Sequence, residues 1–111
     1  TRQELICSNG IFAGLIVGSH KVRARDIDWI LEKVKVTVNG TAVATGVASD
    51  IMGSPLNSLR FLIRHFSDRG KMLQAGEMVI PGSATELIAV GAGDKVACSF
   101  TNAGEITASF G

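Results

Sequence analysis

The chain has 111 residues, enough for one domain of ordinary size and too few for two full ones. Hydrophobic residues make up 46% and charged residues 19%, which excludes a disordered chain. Eleven basic against ten acidic residues leave a formal charge of +1, which argues against an electrostatically driven binder of nucleic acid or membrane surface. With thirteen glycines, 5% aromatics and no Tyr, the composition reads as a sheet protein with many tight turns. Cys7 and Cys98 are far apart and make no CxxC pair, so they read as reduced thiols of a cytoplasmic protein. No run of eighteen apolar residues suggests a membrane span, and the first segment, Thr-Arg-Gln-Glu-Leu-Ile, does not read as a signal peptide. The chain does not begin with Met.

Residues 11–17 form a short apolar run between Gly10 and Gly18, the pattern of a buried strand. Residues 19–28 are polar and basic, with His20, Lys21, Arg23 and Arg25, and read as a surface connector. From Lys33 the chain alternates, with Val34, Val36 and Val38 on one face and Lys33, Lys35 and Thr37 on the other. Asn39-Gly40 then predicts a tight hairpin, because both residues tolerate positive φ, and residues 41–47 return as the partner strand. Ser54-Pro55 opens a helix, Ser54 as N-cap and Pro55 at the first helical position. Leu56, Leu59, Leu62, Ile63 and Phe66 give it an apolar face, and Asp68-Arg69-Gly70 ends it. His65, near its end, reads as a helix-end residue rather than a ligand.

Ala75-Gly76-Glu77 predicts a turn, residues 78–80 a short strand stopped by Pro81-Gly82, residues 83–86 a polar loop, and residues 87–90 another extended piece. Gly91-Ala92-Gly93-Asp94 turns the chain again. Val96, Cys98 and Phe100 then alternate with polar or small residues. Asn102-Ala103-Gly104 makes a hairpin loop, and Ile106, Ala108 and Phe110 close on one face. The fold class is therefore α+β, mainly antiparallel strands with one medium helix at about 54–67, in a single domain over residues 1–111.

No metal-ligand spacing, GxSxG elbow or P-loop is present, and Gly91-Ala92-Gly93 lacks the third glycine of a dinucleotide fingerprint. Asp26 and Asp28 read as a solvated edge rather than a catalytic pair. What remains are polar loops, Ser8-Asn9-Gly10, Gly53-Ser54-Pro55-Leu56-Asn57 and Pro81-Gly82-Ser83-Ala84-Thr85. Their hydroxyls, amides and backbone N–H groups suit a carboxylate or oxyanion, or serve as plain turns and caps.

Five segments in order carry a resemblance. They are Ser8-Asn9-Gly10 through Gly18, the Asn39-Gly40-Thr41-Ala42-Val43-Ala44-Thr45-Gly46 hairpin, Gly53-Ser54-Pro55-Leu56-Asn57, Leu73 through Thr85, and Val90-Gly91-Ala92-Gly93-Asp94 with the closing strand. Together they resemble the 2-oxo acid hydratase and decarboxylase branch of the fumarylacetoacetate hydrolase superfamily, over almost the whole chain. The resemblance implies a β-roll or sandwich-like fold and a lyase of the 2-hydroxypentadienoate hydratase or 2-oxo-enedioate decarboxylase type. Such an enzyme acts on small 2-oxo or 2-hydroxy-dienoic acids from aromatic-compound breakdown, with Mg²⁺ or Mn²⁺.

Carried over position by position, the resemblance implies that Asn9, Gly82, Ser83 and Thr85 bind substrate, with Thr85 and the backbone near Ser83 on its carboxylate. Pro55 and Asn57 are then structural, Asn57 as a local hydrogen-bonding group. Ser8 departs from the acidic residue of the family pattern. The family's metal ligands and its proton-handling lysine fall before Thr1, so the resemblance implies the C-terminal section of a longer catalytic domain, no metal ligand and no identified catalytic residue within the chain, and weak or no turnover alone. The partners expected are a small organic acid, and either further copies or an N-terminal half, with no nucleic acid and no membrane. Two other readings stand beside it: a non-catalytic remnant or binding module of the same fold, and a subunit that completes its site with another chain.

Overall fold

The alternation of Val34, Val36 and Val38 does make a strand, β1 (Lys33–Val38), in the computed structural model of residues 1–10 and 12–111. Asn39 (φ 51°) and Gly40 (φ 82°) occupy the left-handed region that a tight hairpin turn requires, and the chain returns as β2 (Thr41–Val47). β3 (Lys95–Phe100) and β4 (Gly104–Ser109) form a second hairpin. The sheet order is β2-β1-β3-β4, all antiparallel, so the centre of the sheet is a pairing between segments some sixty residues apart in sequence.

Register makes that pairing work. Val34 faces Phe100, Val36 faces Cys98 and Val38 faces Val96; Cys98 in turn faces Ile106, and Val96 faces Ala108. Residues directly opposite share a face, so the apolar sets of β1, β3 and β4 fall on one side of the sheet. A slip of one residue would turn any of them to the opposite side. Val36, at the centre, is buried, and burial pushes the half-buried Cys98 thiol up from its ordinary value. Both cysteines are free thiols. A bulge interrupts the β1–β2 ladder after Val36, leaving Val43 as the extra residue on β2.

Each end of the sheet is tied by side chains. At one end Asn39 donates from Nδ2 to Asp94 Oδ1 (2.8 Å) and accepts at Oδ1 from the Lys95 N–H (2.9 Å). Asp94 Oδ2 accepts from the Gly91 N–H (2.8 Å). This backbone bond and the Asn39 amide hold the Asp94 carboxyl below its ordinary value. At the other end the buried carboxylate of Glu32 accepts from the Asn102 N–H (2.7 Å), Asn102 Nδ2 (2.9 Å) and the Ala103 N–H (3.0 Å), fastening the β3–β4 turn to the entry of β1.

The long helix, α2 (Pro55–Ser67), begins as its sequence predicts: Ser54 accepts from the Leu56 N–H (3.3 Å) and Pro55 sits buried in the first turn. It ends at Asp68, with Gly70 (φ 66°) in the reversal that follows. A six-residue helix, α1 (Arg2–Cys7), not expected from the sequence, starts at a Thr1-x-x-Glu4 capping box. The Glu4 N–H bonds Thr1 Oγ1 (3.2 Å) and the Glu4 carboxylate bonds the terminal amine.

The two strands expected at residues 11–17 and 78–80 do not form, and the extended piece at residues 87–90 joins no ladder. Residues 12–17 make no ladder, and Ile11, where that strand was expected to begin, lies outside the described residues. Residues 78–80 and 87–90 are likewise irregular. Their apolar residues remain open to solvent: Phe12, Leu15, Ile16 and Val17 are all exposed, and Leu87 is 96% exposed. A strand needs a ladder partner as well as an apolar pattern, and the described residues offer these segments none. The radius of gyration, 15.3 Å, exceeds the roughly 13 Å of a self-contained domain of this length. No helix among the described residues is long and apolar enough to cross a membrane.

Burial pushes the Glu32 carboxyl up, but the three N–H donors outweigh it and hold the group below its ordinary value. The folded state is thus stabilised above the ordinary Glu value, about pH 4.3, and loses this contribution as pH falls through the lower folded value. Glu32→Gln, which turns an amide NH₂ toward these donors, is expected to cost about 2 kcal/mol at pH 7. Thermal unfolding of wild type and variant checks this: the gap should narrow as the pH is lowered below about 4.

Candidate functional site

The loop at residues 81–85 sits on the apolar side of the sheet. Gly82 (φ 139°) uses a conformation open mainly to glycine, and a Cβ there would stand 3.0 Å from Ile51 Cγ2. Two residues on, the Ala84 backbone lies against Gly46 of β2, and Gly46 faces Val34 across the ladder. Between these contacts Ser83 donates from Oγ to the Thr85 carbonyl (2.6 Å) and accepts from the Thr85 N–H (3.4 Å). The Ser83 hydroxyl is therefore spent on closing the turn. The Thr85 hydroxyl has no hydrogen-bond partner among the described residues and is the loop's uncommitted polar group.

Asn9 stands elsewhere. It adopts φ 52° just after α1 and, with Gly10, Phe12 and Leu15, forms one wall of a cleft of about 780 Å³. Leu62 and Phe66 of α2 form the second wall, and Leu73 with residues 77–80 the third. The cleft is apolar apart from Asn9 and Glu77, and the Glu77 carboxylate accepts from the Gln74 N–H (2.7 Å). The structure thus gathers Gly82, Ser83 and Thr85 into one loop, and places Asn9 in a cleft whose third wall runs directly into that loop. Gly82, Ser83 and Thr85 line neither this cleft nor a second one.

That second cleft, about 700 Å³, lies along β1, with Lys33, Lys35, Thr45, Ser99 and Thr101 among its lining residues. By strand alternation these five side chains share the polar side of the sheet, opposite the loop. Asp50 at its rim and Glu105, bonded to Ser99 Oγ (2.7 Å), offset the two lysines, which weakens any pull on an anion.

Other singled-out residues have structural tasks. Asn57 donates to the Met52 carbonyl (2.9 Å), pinning the left-handed Met52-Gly53 pair before α2. Asp28 accepts from the N–H groups of Leu31 and Ile30 (both 3.0 Å), which lowers its pKa and closes a turn. His65 stacks on Phe61 and lies 3.2 Å from Arg69 Nη1. Glu32 was not anticipated; a lone Glu before an alternating strand carries no signal of a partner seventy residues on. Among the described residues no three His, Cys, Asp or Glu side chains converge as a metal site would require, so the residues present do not fit a divalent ion.

Comparison with known proteins adds a frame. No family model matches the chain. It is 31% identical over 103 residues to a 2-keto-4-pentenoate hydratase of Paraburkholderia xenovorans, covering 93% of this chain and 37% of that one. It is 26% identical over 107 residues to a 4-oxalocrotonate decarboxylase of Pseudomonas putida, covering 96% and 40%, and equally to a 2-oxo-hept-4-ene-1,7-dioate hydratase of Escherichia coli. The solved 4-oxalocrotonate decarboxylase of Pseudomonas putida G7, complexed with calcium and acetate, superposes on 84% of this chain with a TM-score of 0.79 and 26% identity, over 36% of its own length. A second structure of that enzyme holds magnesium and adipate. The chain spans about two fifths of the length of these relatives.

Gly82→Ala should destabilise the loop by about 1–3 kcal/mol, since it adds both a strained φ and a contact with Ile51. Ser83→Ala should cost about 1 kcal/mol and speed amide exchange at Thr85. Chemical denaturation and hydrogen exchange measure the two effects.

Proposed function

We propose that the chain is of the 2-oxo acid hydratase and decarboxylase branch of the fumarylacetoacetate hydrolase superfamily and supplies the acid-gripping part of a lyase. The substrates are small 2-oxo or 2-hydroxy-dienoic acids from the breakdown of aromatic compounds, hydrated or decarboxylated with Mg²⁺ or Mn²⁺. The observation that carries this reading is the loop at residues 81–85, fixed at Ile51 and Gly46, with the Thr85 hydroxyl uncommitted. That hydroxyl and the loop's N–H groups suit a substrate carboxylate, which wants several donors in a fixed array. Asn9 contributes an amide in the neighbouring apolar cleft, where the hydrocarbon part of such an acid would be shielded from water.

The metal ligands are assigned to a part of the enzyme outside the span shared with this chain, in the same polypeptide or a partner. The open apolar residues Ile16, Val17 and Leu87, outside that cleft, mark the surface that such a part, or a further copy, would cover. The relatives' activities favour this reading over a non-catalytic module of the same fold.

Adipate serves as a non-reacting probe acid. Titrated into the chain, it is expected to shift the amide signals of residues 82–85 with millimolar affinity, and Thr85→Val should weaken it about fivefold, the loss of one polar contact. Absence of any shift at saturating adipate would overturn the acid-binding reading. Joined to the complementary N-terminal part of one of these relatives, the chain is expected to show Mg²⁺-dependent loss of dienoate absorbance; release of carbon dioxide separates decarboxylase from hydratase.

A further inference from the structure

Resting on the acid-binding reading of the loop, we propose that Gly46 is a positioning residue. Its bare Cα is the seat on which the Ala84 backbone lands, and this contact sets where Thr85 stands toward a bound acid.

Glycine in the interior of a strand costs stability, about 0.5–1 kcal/mol relative to Ala, and at such a place it marks a bulge, a bend or the close approach of another backbone. Gly46 has no positive φ, and the bulge of β2 lies elsewhere, at Val43. The remaining reason is space. A Cβ built on Gly46 would fall inside the Ala84 carbonyl, 2.6 Å from its carbon, with Ala84 Cβ at 3.2 Å.

The other crowded glycines differ in kind. Gly18 meets the Ile106 side chain and Gly104 the His20 ring, groups that can rotate aside. Among the described residues, Gly46 alone of the glycines has the backbone of a distant segment closer than ordinary contact to where its Cβ would go. That obstruction is removed only by moving the loop.

The geometry then runs in one direction. β2 is held in register by β1, so Gly46 does not move. Ala84 lies on it, Gly82 is held at Ile51, and the Ser83–Thr85 bond closes the span between. Thr85, the residue after the contact, takes its orientation from it. Any side chain at position 46 lifts Ala84 and displaces Thr85, the residue that follows it.

The experiment compares wild type, Gly46→Ala and Gly14→Ala by amide NMR with adipate as the probe. Gly14 is the control, because an added Cβ there meets nothing within 4 Å among the described residues. Gly46→Ala is expected to displace the amide signals of Ser83, Ala84 and Thr85 and to weaken adipate by at least about fivefold, leaving β3 and β4 signals in place. Gly14→Ala should leave signals and affinity unchanged. In wild type a nuclear Overhauser contact between the Gly46 Hα protons and the Ala84 methyl is expected, and this needs no variant to fold. Its absence, or an unchanged adipate affinity in folded Gly46→Ala, would overturn the proposal. Failure of wild type to bind adipate would instead sink the acid-binding reading, and with it the ligand half of this one, while the Overhauser contact decides the seat separately.

Discussion

The structure hangs on the pairing of β1 with β3. These strands are separated by the whole of α2 and the irregular chain after it, so closing the loop between them carries a sizeable entropic cost. Burial of the shared apolar face, with Val36 at its centre, repays part of that cost, and only one register puts Val34, Val36 and Val38 against Phe100, Cys98 and Val96. Asn39 with Asp94 at one end, and Glu32 with Asn102 and Ala103 at the other, act as stops against slippage, because a shift would leave hydrogen-bonding groups without partners.

The same sheet gives the candidate loop its foundation. A polar loop of five residues has little means of holding itself in one conformation, since its hydroxyls can bond water as well as each other. Here it is held by contacts made where side chains are missing, at Gly46 below Ala84 and at Gly82 beside Ile51. Ser83 is spent on internal closure, while the half-buried Thr85 keeps its hydroxyl without a partner among the described residues. The hydroxyls at positions 83 and 85, indistinguishable in type, thus take different tasks from their place in the turn.

An open apolar surface accompanies this arrangement. Residues 12–17, 78–80 and 87–90 have strand-like composition and no ladder, and the radius of gyration is that of an extended body. The chain spans about two fifths of its relatives' length, and these open faces have the apolar character of surfaces that further protein covers.

Features set by near neighbours were legible in the residue order. Alternation of Val34, Val36 and Val38, the Asn39-Gly40 turn and the Ser54-Pro55 start of α2 all depend on neighbours a few residues away. The capping box at Thr1 and Glu4 is equally local. Tertiary pairing alone put β1 in the middle of the sheet, buried Glu32 as a clasp, laid the Ala84 backbone on Gly46, and set Asn9 in a cleft that Ser83 and Thr85 do not line. Each of these is a relation between residues tens of positions apart. Such relations follow from which pairings close together at the lowest free energy, and no window along the chain contains both partners.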